Sequence, residues 1–215
     1  MLKTSLKPRT QRQPHATRIQ LLETAAQMIE ANGLDAIDID VVVAAAGVTK
    51  GALYHHFGSV NGLLVAAVVS LYSANVDENI AAFQTILVDC RSADEVRARL
   101  AAITRATQDP SRRSVRLHRA RVLSQTVAEP ELATQIDAEQ QRLTNALIDV
   151  IVQAQERGWF RSDVDPHALA VFVQAYTLGR VIDDVTTETM SQDAWVTLID
   201  QVLEGFLVSD EKPTR

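Results

Sequence analysis

A single cysteine, Cys90, in 215 residues excludes an internal disulfide and suits a reducing cytoplasm. Glycine and proline are scarce, at 8 and 6 residues, and no stretch alternates apolar and polar positions for the length of a strand. With abundant Ala, Leu and Val, these absences leave an all-α chain long enough to bury a sizeable core. Motifs of catalysis are missing as well. There is no HExxH, no CxxC, no phosphate-cradling glycine loop, and no Ser or Cys nucleophile set in a motif. The chain is therefore not expected to be an enzyme, and no cofactor is expected. Aromatics make up only 5% of the residues, which disfavours a multi-aromatic cage for a cationic ligand.

Net charge is −6, which argues against a general nucleic-acid binder, but the charge is unevenly placed. Lys3, Lys7, Arg9, Arg12 and Arg18 precede the first acid, whereas the last third is rich in Asp and Glu. Residues 1–15, with Pro8 and Pro14 and little apolar content, read as a flexible basic arm. Polar groups alternate with Lys and Arg there instead of forming an apolar core, so no secretory leader is expected. Residues 51–76 lack Asp, Glu, Lys and Arg, but their two His, two Asn, three Ser and repeated Gly argue against a membrane span.

The most informative stretch is residues 42–57, VVAAAGVTKGALYHHF. Ala46-Gly47-Val48 forms a glycine turn between a small-residue helical run and a second run that Thr49 can cap, which is a helix-turn-helix pattern. In the second run Leu53 and Phe57 share one face, while Lys50 and Tyr54 share another with His55 and His56 beside them. Gly51 costs roughly 0.5–1 kcal/mol relative to Ala inside a helix, so its place near the helix start suggests a close approach to the backbone there. Adjacent helical positions diverge by about 100°, so His55 and His56 do not converge on one ion, and no metal is expected. Periodicity alone leaves two readings level: an ordinary pair of core helices with solvated polar residues, or a DNA-reading pair.

Residues 45–59, AAGVTKGALYHHFGS, resemble the DNA-binding signature of the tetracycline-repressor (TetR) family, and the resemblance runs upstream through residues 17–39 and downstream to Leu63-Leu64. It covers about the first third of the chain. The family implies a three-helix DNA-binding domain at residues 16–62, joined by a long helix to a helical ligand-binding and dimerisation domain at residues 63–215. By the same resemblance, Thr49, Lys50, Gly51, Tyr54, His55 and His56 sit where the family contacts double-stranded operator DNA. Thr49 and His56 suit phosphates, Gly51 suits close backbone approach, and Lys50, Tyr54 and His55 suit base edges or thymine methyls. Two departures weaken the match. Asp38 stands where the family often has Thr, and Val60-Asn61-Gly62 stands where it often has Lys followed by acids.

Along the rest of the chain, Ile19, Leu22, Ala26 and Ile29 mark the inward face of a first helix that Asn32-Gly33 ends, with Leu21, Ala25 and Met28 beside them. Asp38 and Ser59 are candidate caps for the second and fourth helices, the fourth running to about Leu87. Periodicity predicts further helices near residues 94–108, 111–128, 131–157, 166–185 and 192–207, with Pro110, Pro130 and Pro166 at starts and Gly158 at a stop. The Pro166 helix is apolar nearly all round, with a small-residue stripe of Ala168, Phe172, Ala175 and Gly179, so both sides need covering. The last helix offers Trp195, Ile199, Val202 and Phe206. In TetR-like proteins two such helices form a four-helix dimer interface, which implies a homodimer.

Arg112, Arg113, Arg116, Arg119 and Arg121 crowd one helix, and they are expected to be a solvated face pairing with Glu129, Glu131, Asp137 and Glu139. His118, Phe172 and Tyr176 are candidates for a pocket holding an apolar or amphipathic effector, since a pocket needs apolar walls and a few polar groups. The function implied is a ligand-responsive transcription regulator, a repressor released from its operator by a small molecule, working in the cytoplasm. Two alternatives stand beside it: a helical ligand-binding or adaptor protein whose DNA-binding end has decayed, and an enzyme built in the C-terminal pocket.

Overall fold

A computed structural model describes residues 14–208. The basic arm expected over residues 1–15 falls outside them except for its last two residues. Among the described residues ten α-helices form: α1 (Pro14–Asn32), α2 (Ile39–Ala45), α3 (Lys50–Phe57), α4 (Val60–Gln84), α5 (Ala93–Thr107), α6 (Arg113–Gln125), α7 (Pro130–Glu156), α8 (Pro166–Gly179), α9 (Val181–Asp184) and α10 (Gln192–Glu204). Short 3-10 turns precede α2 and α6. Among the described residues the only β-type pairing is an isolated antiparallel bridge between Phe160 and Leu207. Contacts divide the chain into two compact units, Met1–Leu71 and Tyr72–Arg215, with the division falling inside α4.

Helix boundaries in the first unit follow local chemistry. Asp38 accepts from the Asp40 N–H at 2.8 Å, Thr49 from the Ala52 N–H at 3.3 Å, and Ser59 from the Gly62 N–H at 2.9 Å, so α2, α3 and α4 each start at a side-chain cap. Gly33, Gly47 and Gly58 close the preceding helices with φ of 83°, 62° and 73°, the left-handed region that glycine enters without penalty. Leu21, Ala25, Ala26 and Ile29 of α1 are buried, as are Val42, Val43 and Ala46 from α2 and its cap and Leu53 of α3. The inward face of α1 is thus centred on Leu21 and Ala25, while Ile19, expected inside, is 38% exposed. Gly62 answers a different demand, because a Cβ there would overlap the backbone carbonyl oxygen of Phe57.

By length and composition alone α4 could cross a membrane, yet Leu63, Ala67, Val68, Tyr72 and Val76 are each buried in the protein.

In the second unit α7, α8 and α10 supply most of the core, with Leu143, Leu147, Ile151, Leu169, Val196, Ile199 and Leu203 buried. Pro110, Pro130 and Pro166 open helical segments where their missing N–H costs nothing, and Asp165 caps α8 by accepting from the Ala168 N–H at 2.7 Å. Gly158, at φ 73°, follows the end of α7. A polar chain crosses this core: the Tyr72 hydroxyl donates to Gln140 Oε1 at 2.7 Å, Gln140 donates to Gln174, and Gln174 donates to the Thr144 hydroxyl at 3.1 Å.

The arginine-rich helix overturns one expectation. Arg116 and Arg119 of α6 are buried, at 3% and 8% exposure, instead of forming a solvated face. Arg116 makes a two-pronged ion pair with Asp184, Nε to Oδ2 at 2.6 Å and Nη2 to Oδ1 at 2.9 Å, and Arg113 donates to the Asp184 carbonyl. Arg112 pairs with Glu78 of α4 at 2.5 Å. These partners lie well outside the acidic run that follows α6, and sequence spacing carries no sign of them. The same contacts explain why the predicted 166–185 helix is split. Arg180, at the break, turns inward to the Gln108 carbonyl, and Asp184, one turn on, is drawn to Arg116.

Removing one partner of a buried ion pair leaves an uncompensated charge, so Asp184→Ala should cost ~3–5 kcal/mol, whereas Arg116→Met with Asp184→Leu should recover much of the loss. Trp159 and Trp195 both belong to the second unit, so denaturant titration followed by tryptophan fluorescence reads it directly. Arg116 holds the Asp184 carboxyl below its ordinary value. The pair's contribution is therefore complete above the unfolded carboxylate value of about 3.9 and fades as pH falls through the lower folded value. Wild-type protein should lose this part of its stability on acidification, and the double variant should not.

Candidate nucleic-acid interface and ligand pocket

Helix α3 is short, and its packing uses little of its circumference. Leu53 is 1% exposed and anchors it; Phe57 is half-buried with the Arg18 guanidinium 5.1 Å from its ring centroid. The remaining surface carries Thr49, Lys50, Gly51, Tyr54 and His55, all exposed, with His56 half-buried. Tyr54 is 53% exposed, so its ring serves no core. The His55 and His56 rings lie edge to face with centroids 5.0 Å apart. Among the described residues no three metal-binding side chains gather into a site. A Cβ at Gly51 would meet only the Thr49 hydroxyl, at 3.7 Å, so nothing within the protein demands glycine there. The six residues singled out from sequence thus share one short helix and its cap.

Asp40, which sequence reasoning passed over, binds Lys50 across the turn at 2.5 Å. The hydrogen bond and charge of this carboxylate hold the Lys50 ammonium above its ordinary value. Lys50 is therefore charged at any physiological pH but already partnered. Residues 16–62 carry only Arg18 and Lys50 against Glu23, Glu30, Asp35, Asp38 and Asp40. Positive charge near this face is thus sparse, while Lys3, Lys7, Arg9 and Arg12 all belong to the N-terminal arm.

The second unit holds an apolar pocket between α5, α7, α8 and α10. Ile103, Leu147, Ile151, Leu169, Val173 and Phe206 are among its walls, and only about 50 Å³ stands free. Thr104 and Tyr176 bring the hydroxyl groups of its lining. Desolvation raises the Tyr176 phenol above its ordinary value, and hydrogen bonds with Thr104 and Thr177 oppose that rise. Of the three pocket residues proposed from sequence, only Tyr176 is a wall. Phe172 stacks on it at 5.7 Å and on Phe206 at 6.0 Å from the outer side, and His118 is half-buried on α6 away from the lining. The other walls come from five helices and the three segments that follow α4, α7 and α10, whose convergence only the tertiary fold reveals.

Val171, Phe172, Ile182, Val185, Leu198 and Val202, on α8, α9, α10 and the residue after α9, are exposed apolar side chains, with Ile182 75% exposed. Ile199, expected on that outer stripe, is instead 4% exposed, and Leu198 takes the outward position.

Residues 21–67 match the model of the bacterial regulatory proteins of the tetR family, a span that contains α2, α3 and both turns around them. The HTH-type transcriptional repressor KstR2 of Mycobacterium tuberculosis is 27% identical over 180 residues, covering 77% of this chain and 80% of the relative. Among solved structures, Salmonella enterica GusR superposes with a TM-score of 0.66 at 21% identity, over 93% of this chain and 99% of that one. A transcriptional regulator from Saccharomonospora viridis in complex with choline gives 0.68 at 22% identity, over 92% and 100%. At these identities the structural matches establish the fold, while the family model falls on the helix-turn-helix whose donor-bearing face is described above. Residues 21–67 thus carry the DNA-binding region of the bacterial regulatory proteins of the tetR family, and most of the chain is similar to an HTH-type transcriptional repressor.

Proposed function

We propose that this regulator is a homodimeric repressor that reads double-stranded operator DNA with α3 and is released by a small molecule held among its C-terminal helices. The observation that carries the reading is a short helix anchored by buried Leu53 and half-buried Phe57, whose exposed surface presents Lys50, Tyr54 and His55 around an unobstructed Gly51. Residues 16–62 act as the DNA-binding domain and residues 63–215 as the ligand-binding and dimerisation domain. Thr49 and His56 take phosphates, and Lys50, Tyr54 and His55 reach base edges in the major groove. The basic arm supplies phosphate contacts that α3, with its single lysine, lacks. Effector binding favours a dimer geometry whose two recognition helices no longer match successive major grooves, ~34–36 Å apart. The protein acts in the cytoplasm, where its operator is, and the reading requires no catalytic step.

The dimer uses the apolar surface of α8 and α10. In the single chain a Cβ at Gly179 would meet nothing within 4 Å, and its φ is not positive, so Gly179→Trp adds bulk outward without disturbing the fold. Sedimentation should show this variant as a monomer; an unchanged dimer would place the interface elsewhere.

A gel shift with the DNA flanking its own gene tests the reading as a whole, and failure to bind it would favour the adaptor alternative. Tyr54→Ala should lose ~1–3 kcal/mol of operator affinity per subunit with an unaltered melting temperature. Asp40→Asn frees the Lys50 ammonium for a base edge, so affinity for the operator should rise while affinity for unrelated DNA gains less. Equal gains on both would place Lys50 against the phosphates instead.

A further inference from the structure

One helical turn beyond the two hydroxyl-bearing walls of the pocket lie two buried polar side chains that do not themselves line it. Thr104 of α5 and Tyr176 of α8 are wall residues, and the next turn of each helix face brings Gln108, which caps α5, and Arg180, which caps α8. Both are buried, at 0% and 5% exposure. They are bonded to each other through the Arg180 guanidinium and the Gln108 backbone carbonyl.

Each nevertheless keeps a donor in reserve. The Trp195 indole N–H donates to Gln108 Oε1 at 2.8 Å, which fixes the amide orientation and leaves Nε2 as a buried donor with no acceptor. Arg180 Nε likewise has no hydrogen-bond acceptor, since its nearest carboxylate oxygen, Asp184 Oδ1, is 4.0 Å away and engaged by Arg116. Two buried N–H donors left open cost free energy that a ligand oxygen would return. Charge points the same way: two buried guanidiniums, of Arg116 and Arg180, share one buried carboxylate, Asp184. Carbonyls 107–109 at the end of α5 offset part of that excess through bonds to Arg116 and Arg180, and Asp109 near the surface also feels Arg180.

Resting on the reading of this unit as the effector domain, we propose that the effector is an amphipathic carboxylic acid. Its apolar body widens the pocket between α5, α7 and α8, and its carboxylate accepts from Arg180 Nε and Gln108 Nε2. The small free volume explains why an apolar body must part the helices as it enters, and the donors beyond Tyr176 decide which apolar molecules gain by doing so.

Straight-chain acids from octanoate to hexadecanoate, and the alcohols and methyl esters of equal length, are the probes, titrated calorimetrically into the full-length protein near neutral pH. An acid should bind at least about tenfold tighter than its alcohol or ester, the value of a hydrogen bond to a charged group. Gln108→Glu preserves side-chain shape and gives Arg180 its own carboxylate, so it should abolish or invert the acid preference in a protein that still melts cooperatively. If that variant does not fold, Arg180→Gln should erase the preference instead. The proposal is overturned if alcohols bind as well as acids, if no acid binds, or if the preference survives either variant. Release of labelled flanking DNA is followed in parallel: acid binding without release would leave the carboxylate site standing and overturn the repressor reading.

Discussion

The buried pair between Arg116 and Asp184 decides how the C-terminal unit closes. An unpaired guanidinium or carboxylate at this depth would cost ~3–5 kcal/mol, so the packing of α6 on α9 is set where the two-pronged bond forms. Once Asp184 is fixed, Arg180 is held one turn earlier and α8 must end there. Arg116 also bonds carbonyls 107 and 109, so the end of α5 is fastened to the same point. Two of the helices that line the pocket, α5 and α8, therefore share one electrostatic anchor at their C-terminal ends, while the pocket walls are held by apolar contacts that have no directional preference.

That asymmetry suits a domain that must admit a molecule without unfolding. Hydrogen bonds and ion pairs fix register and resist sliding; apolar walls such as Ile103, Leu147 and Val173 can separate and re-form around a guest. The Tyr72–Gln140–Gln174–Thr144 chain adds a second directional tie, from α4 through α7 to α8. Arg142 adds a third, from α7 to Asp77 and Ser73 on α4. Motion of α8 is therefore felt along α4 within this unit.

Local chemistry made much of the fold legible in advance. Caps at Asp38, Thr49 and Ser59, prolines at three helix starts and glycines at turns act on neighbouring backbone, so the residues that cause a boundary sit beside it. The surface of α3 was legible for the same reason, since eight residues and one anchoring leucine leave few arrangements. Contacts between residues far apart in sequence were not. Arg116 meets a partner 68 positions away, and a run of arginines looks the same whether it is solvated or buried. The burial of Leu21 in place of Ile19 and of Ile199 in place of Leu198 reflects a rotation of about one residue, finer than periodicity resolves. Asp40 escaped notice because the turn, and not the spacing, brings it to Lys50.

Gly62 sets a limit on how this chain can change. With no room for a Cβ beside the Phe57 carbonyl, the exit of α3 and the entry of α4 form one rigid corner that random substitution cannot reshape gradually. On the proposed reading, divergence in operator choice would come from swapping the outward side chains at 50, 54 and 55 on a helix of fixed pose. A laboratory library meant to recode the operator would spend its diversity well at those three positions and waste it at 62, where nearly every codon change returns a misaligned helix.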